Sequence, residues 1–312
     1  MMIFYIITIV VTFAVITYNF LSGKNIILDY IHYLWVNSRS LQYWDGYCYG
    51  NQKKSDIIIS LTTIPSRFEH IAPTIKSILA QSRSPQEIVI YIPQYSDREQ
   101  TTYQIPKELA NLKCVKVVEV DKDWGPATKF IPAILTQFER QKILVVDDDN
   151  IYPSSLVEGF YDYSLKHHHC ILATSGWRVP ADLVDRPTTL WSNIMKTPPT
   201  PVTGRRVSGL YKTDIIQGYS GYLIQPTFFD LDAVCDYLGT PEAARYVDDV
   251  WVSAQSKVNK YIFPCRRFCY SVFWKRKLYK GSSLAKINNW EREDYSQRNN
   301  SIMIKYFANK WK

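Results

Sequence analysis

The stretch that decides the fold is KILVVDDDNIYP, residues 142–153. A short apolar run ends in three consecutive carboxylates, and a proline then opens the next element, the way a buried strand passes through a polar loop into a helix. The same alternation repeats on both sides. Upstream, DIIISLT (56–62) reads as a strand, Phe68, Ile71, Ile75, Ile78 and Leu79 recur at helical spacing, and EIVIYIP (87–93) and CVKVVEV (114–120) read as strands before a helix predicted over 128–139. Downstream, a helix is predicted over 153–166 and a strand at CILATS (170–175). Strands alternating with helices predict βαβ units and a largely parallel sheet.

The composition fits a globular chain. Of 312 residues 46% are apolar, enough for one large domain or two ordinary ones, and the 12 Gly and 16 Pro carry no period, which excludes collagen-like and disordered classes. The 37 Lys and Arg against 29 Asp and Glu leave a net charge of +8, which favours an anionic partner such as a phosphate, a lipid headgroup or a nucleic acid. No nucleic-acid-binding motif accompanies it. Six cysteines are spread without the spacing of a disulfide framework or a zinc site.

Residues 1–21 carry no charged side chain and are long enough to cross a hydrocarbon core. No Lys or Arg precedes Lys24, as the basic start of a signal peptide would require, so the stretch is predicted to be an uncleaved single-pass anchor. Lys24 and Arg39 after it point to a cytoplasmic body by the positive-inside rule. A lumenal body stays open, and only there would the sequon at Asn299 be modified. The predicted organisation is an anchor over 1–21, a stalk or membrane-proximal segment over 22–54, an α/β domain over 55–270 and a basic extension over 271–312.

In parallel sheets ligands bind beyond the carboxyl ends of the strands, so TTIPSRF (62–68), DKDWGPATK (121–129) and DDDNIYP (147–153) should converge on one crevice. Three adjacent carboxylates repel one another, a cost that a divalent cation arriving with its own diphosphate would offset. On an extended strand Asp147 and Asp149 share a face while Asp148 points elsewhere. Alternatively, Asp149 or Asn150 caps the helix that Pro153 begins. KILVVDDD also suggests a response-regulator receiver, but CILATS ends without the phosphoacceptor aspartate that such a domain needs.

Taken in order, LTTIPSRF, GPATK, VVDDDNIYP, GYSGYLI (218–224) and VDDVWVS (247–253) resemble, over residues 56–265, a GT-A fold glycosyltransferase of the small viral and bacterial type with one nucleotide-sugar domain. The resemblance implies a Rossmann-like mixed, mainly parallel sheet flanked by helices. It implies that Thr62, Thr63, Pro65 and Arg67 border the nucleotide and that Lys129 meets its diphosphate. By the same resemblance Asp147 holds ribose or sugar hydroxyls with Asp148 in the donor site, and Asp149 with Asp147 ligates Mn²⁺ or Mg²⁺. Asp249, with Asp248 as understudy, would deprotonate the acceptor hydroxyl of an inverting transfer. The residues alone also allow a plain turn at Pro65 and Ser66 and two carboxylates that merely favour a helix N-terminus. One departure is that no His follows residue 169 to complete a metal shell.

The implied donor is a UDP-linked sugar, and the implied acceptor is a glycan or glycolipid at the membrane. A sugar-phosphate nucleotidyltransferase is the rival enzyme, although the long glycine-rich loop it needs after the first strand is absent; a non-catalytic glycan- or lipid-binding membrane protein is the rival outside catalysis. Residues 175–220 read as an irregular acceptor wall or lid carrying Trp177, Trp191, Arg205, Arg206 and Tyr211, with Tyr219 or Tyr222 as a sugar platform. The basic and aromatic run from Arg266 to Lys280 is predicted to meet lipid or diphosphate.

Overall fold

Alternate residues of the apolar runs face opposite sides of one eight-stranded sheet. Ile57, Ile59 and Leu61 pack with Phe68, Ile75 and Ile78 on one face, whereas Ile58 packs with Phe130 and Ile131 on the other. The computed structural model describes residues 1–22, 25–271 and 293–311. Its first strands are β1 (Ile57–Thr62), β2 (Glu87–Pro93), a small ribbon of β3 (Tyr95–Ser96) and β4 (Thr101–Thr102), β5 (Val115–Val120) and β6 (Lys142–Val145). Then follow β7 (Ile171–Ala173), β8 (Ser175–Trp177), β9 (Val202–Thr203), β10 (Tyr211–Thr213), β11 (Ile215–Ile216), β12 (Tyr222–Ile224) and β13 (Lys260–Ile262).

The sheet order is β10-β13-β7-β12-β6-β1-β2-β5. Its pairings make β5, β2, β1, β6, β7 and β13 parallel, with β12 and β10 reversed. This is the mixed, mainly parallel α/β architecture that the resemblance implies, its parallel strands those that the alternation predicts. Because β12 runs backwards between β6 and β7, the turn that precedes it, Gly218–Ser220, arrives at the carboxyl ends of the parallel strands. That reversal positions the site.

Several elements differ from the sequence reading for identifiable reasons. The helix predicted over 128–139 is a 3₁₀ turn, Gly125–Lys129, followed by the helix Ile131–Thr136; in one continuous helix the ring of Pro132 would strike the carbonyl of residue 128. Farther on, a 3₁₀ turn Glu242–Arg245 is separated at Val247 from the helix Asp248–Gln255. Residues 175–220 are not irregular throughout, since β8, β9 and β11 form a second sheet and β10 joins the first.

The N-terminal helix Met2–Ser22 is long and apolar enough to cross a membrane, with no residue buried against the domain. The segment read as a stalk contains the helices Ile26–Asn37 and Leu41–Gly50, whose Val36, Leu41, Trp44 and Cys48 are buried, and both helices pack on the helix Ala72–Leu79. Near the other terminus the helix Asn299–Tyr306 delivers Met303 and Ile304, with Phe307 just beyond, to the core beside Trp251. Packing therefore crosses the divisions drawn at 54 and 271. Asn299 is buried at the start of that helix. Lys24 and residues 272–280 of the basic run lie outside the described residues; within it, Phe268 and Tyr270 are core side chains and Arg267 pairs with Asp29 at 3.4 Å.

Candidate functional site

The site forms where the carboxyl ends of β1 and β6 meet the 3₁₀ turn Gly125–Lys129, the turn Gly218–Ser220 and the first turn of the helix Asp248–Gln255. At its centre is Lys129, only 5% exposed. Its ammonium lies 2.6 Å from Asp147 Oδ1 and 2.7 Å from Asp248 Oδ2, and its backbone carbonyl accepts the Ser60 hydroxyl at 2.5 Å. Burial pulls the pKa of this lysine down, but Asp147, Asp248 and Asp249 outweigh it and hold the pKa well above the ordinary value.

Two glycines make room at the site. Gly125 turns with φ +59°, and a β-carbon there would stand 2.9 Å from the carbonyl oxygen of Arg245. At Gly218 a β-carbon would collide with the Lys129 ammonium at 2.6 Å. Gly218 also donates its backbone N–H to Asp249 Oδ1 at 2.9 Å. Burial, and after it the neighbouring Asp248, push the Asp249 carboxyl well above the usual range, with Lys129 and the Gly218 N–H opposing. Asp249 is thus a basic carboxylate fixed by one backbone donor.

A second group sits at the end of β1. Thr63 donates its hydroxyl to Asp148 Oδ2 at 2.6 Å, Arg67 Nη1 lies 3.4 Å from Asp148 Oδ1 and 3.9 Å from Asp149 Oδ2, and the Thr74 hydroxyl donates to the Asp148 carbonyl at 2.8 Å. Pro65 opens the short helix Pro65–Phe68 that carries Arg67. Thr62 donates its hydroxyl to the Tyr91 carbonyl at 2.7 Å across β2. Asn150 donates to Asp149 Oδ1 at 2.7 Å, and neither residue caps the following helix, which begins later at Leu156.

The triplet therefore splits. Asp147 turns to Lys129 and Asp148 to Thr63 and Arg67, while Asp149 lies between Arg67 and Asn150. Tyr152, fully buried, pins the loop: the Asp147 N–H donates to its hydroxyl at 2.9 Å, and that hydroxyl is shared between the carbonyls of Asp147 and Tyr219, each at 3.1 Å. Tyr152 and Thr74 are positioning residues that the sequence reading missed. The signal for Tyr152 was present, an aromatic with a polar tip three residues after the acidic run.

A resident divalent cation needs several oxygen ligands that are not already neutralised. Here Asp147 and Asp148 have protein cations within hydrogen-bonding distance, a third cationic contact reaches Asp149, and among the described residues no three His, Cys, Asp or Glu side chains are grouped to hold a metal. The donor set does not fit a preformed metal cage. The structure also corrects the aromatic candidates. Strand alternation turns Tyr222 into the core, and Trp177 is buried as well, so neither offers a face to a sugar. Arg206 holds the carbonyl of Asn193 at 2.7 Å.

No protein-family model matches the sequence, and no curated protein matches it. Among solved structures, S. aureus TarS 1-349 in complex with UDP-GlcNAc is similar with a TM-score of 0.50 at 11% identity, over 81% of this chain and 66% of that one. Two further structures of TarS 1-349 match at 12% identity. One scores 0.45 over 81% of this chain and 71% of that chain, and the other, in complex with UDP, scores 0.42 over 69% and 60%. The chain spans about two thirds of the TarS chain in the UDP-GlcNAc complex, and the likeness is one of fold.

Proposed function

We propose that this chain is a nucleotide-sugar-dependent glycosyltransferase of GT-A type that passes a UDP-linked sugar, with inversion, to a hydroxyl of a glycan or glycolipid, anchored by the helix Met2–Ser22. The observation that carries the reading is the cluster of Asp249, Gly218, Lys129 and Asp147 at the carboxyl edge of the parallel strands, where α/β sheets bind their ligands. The fold neighbour's complex with UDP-GlcNAc supports the donor class.

In this reading Asp249 accepts the proton of the acceptor hydroxyl as its oxygen attacks the anomeric carbon. The bond from that carbon to the diphosphate breaks, and UDP leaves with the electron pair. A carboxylate held above its usual pKa is the stronger base for this task. Arg67 supplies positive charge to the departing diphosphate, Lys129 keeps Asp147 and Asp248 in register, and Asp147, its side chain 28% exposed, meets the hydroxyls of the donor. Thr62, Thr63, Pro65 and Asp148 shape the nucleotide side. No step is routed through a metal, since Arg67 and Lys129 already engage Asp147, Asp148 and Asp149.

The test is a panel of UDP-, GDP- and TDP-sugars offered to the purified full chain, followed by thermal shift and by release of nucleoside diphosphate. Stabilisation by one nucleotide class, with slow release that disappears in Asp249→Asn while binding remains, is the expected result. Release of pyrophosphate instead would make the chain a nucleotidyltransferase. Absence of any nucleotide binding would leave the glycan- or lipid-binding reading.

A further inference from the structure

Two helices beside the end of the Met2–Ser22 helix turn apolar rows outward. In Ile26–Asn37 the buried side chains include Asp29 and His32, while Ile27, Ile31 and Leu34, spaced i, i+4, i+7 on one face, are exposed. The polar face is tied inward: Asp29 pairs with Arg267 at 3.4 Å, and His32 Nδ1 lies 2.7 Å from the Tyr270 hydroxyl. In Leu190–Met195 the Thr200 hydroxyl donates to Ser192 Oγ at 2.7 Å and Arg206 holds the Asn193 carbonyl. Leu190, Trp191, Ile194 and Met195 are all exposed, Trp191 by 70%. Each helix turns an apolar row outward because its polar side chains are engaged within the protein.

Both rows lie where the apolar helix ends. Asn193 Nδ2 donates to the Leu21 carbonyl at 3.3 Å, the Arg206 guanidinium stands 5.4 Å from the Phe20 ring centre, and Ile26 N–H donates to Asn19 Oδ1 at 3.1 Å. We propose that these two faces form a membrane-docking surface whose occupant is the bilayer that holds Met2–Ser22. The body lies against the interface with Ile27, Ile31, Leu34, Ile194 and Met195 in the acyl boundary and Trp191 and Trp35 at the headgroup level, where tryptophan partitions. The inference rests on the membrane-span reading and not on the sugar chemistry. An outward apolar face of this kind is unfavourable against water and favourable against lipid.

The test uses the full chain reconstituted in phosphatidylcholine and phosphatidylglycerol vesicles, with and without bromine on the acyl chains. Met2–Ser22 contains no tryptophan, so quenching by bromolipid reports on the body alone. We expect quenching in the wild type, a smaller quenched fraction in Trp191→Phe, and a weaker effect still in Ile194→Asp, whose side chain is exposed and whose fold is checked by its unchanged melting temperature. Equal quenching of the wild type and Trp191→Phe in chains that co-float with the vesicles overturns the docking surface and leaves the anchor standing. Chains that do not co-float at all overturn both. Vesicle-independent dimers that bury Trp191 would assign the face to a second copy and overturn the proposal too.

Discussion

Gly218 and Lys129 occupy one space: a β-carbon on the glycine would stand 2.6 Å from the ammonium, which is itself fixed between Asp147 and Asp248. Gly218→Ala must therefore move the lysine off at least one carboxylate. We expect UDP affinity to fall by roughly tenfold, about 1.4 kcal/mol, with a small drop in melting temperature. Calorimetric titration of UDP checks this, and an unaltered affinity would show that the lysine's placement is not part of the donor site.

Removing the ammonium itself is a larger change. Lys129→Met leaves Asp147, Asp248 and Asp249 facing one another in a buried site, at a cost of about 3–5 kcal/mol. The lysine's raised pKa means that its contribution is fully present below its ordinary value and is lost only as pH climbs through the folded one, so the wild type shows no such loss near neutrality. The variant should recover stability on acidification, when its carboxylates protonate. Melting temperatures from pH 5 to 8 measure both trends.

Asp249 has a linkage of the same sign, set in the carboxylate range. Its raised folded pKa makes a stability contribution that is present below the ordinary carboxylate value and is lost as pH rises through the folded pKa. Asp249→Asn removes that loss, so the variant should melt higher than the wild type at pH 8 while releasing no UDP. Turnover by the wild type should rise with pH through an acid limb lying above the ordinary carboxylate range. A variant that melts lower and still turns over would remove Asp249 from the role of base.

Tyr152→Phe tests the pin beneath the acidic loop. It deletes a buried hydroxyl that serves the Asp147 N–H and the carbonyls of Asp147 and Tyr219, a loss of about 1–3 kcal/mol. Donor affinity should fall with it, because Asp147 loses the contact that sets its backbone. Denaturant unfolding and UDP titration on the same sample separate the two effects.

Protein cations already meet the carboxylates, so UDP binding should persist in EDTA and should weaken in Arg67→Ala. Complete loss of binding in EDTA, restored by Mn²⁺, would give the diphosphate a divalent partner that this donor set does not by itself provide.

The parallel strands are legible in the sequence because each is a short apolar run flanked by polar turns. The convergence of three loops follows from the parallel order alone. What is not legible is pairing. Nothing in the text of residues 121–129 says that Lys129 is sunk between Asp147 and Asp248, because the second partner arrives from a helix more than a hundred residues later. The helix boundary at 128 is misread for a local reason, since an apolar stripe gives the period without saying whether a proline interrupts it. The aromatics mislead most. Tyr222 and Trp177 carry polar tips that invite a ligand, and only the direction of their strands shows that they fill the core.

The reversed strand between β6 and β7 has a consequence for how the chain comes off the ribosome. Val145 pairs with Tyr222, so β6 emerges with one edge open and keeps it open until some 77 further residues have been made, roughly 4–15 s at ordinary elongation rates. Throughout that interval the nascent N-terminal half presents a bare, apolar strand edge beside a helix long and apolar enough to cross a membrane. Early insertion of Met2–Ser22 into a bilayer would tether each nascent chain apart from its neighbours during this exposure, and slowing translation over residues 146–221 should raise the yield of aggregate only when that helix is deleted.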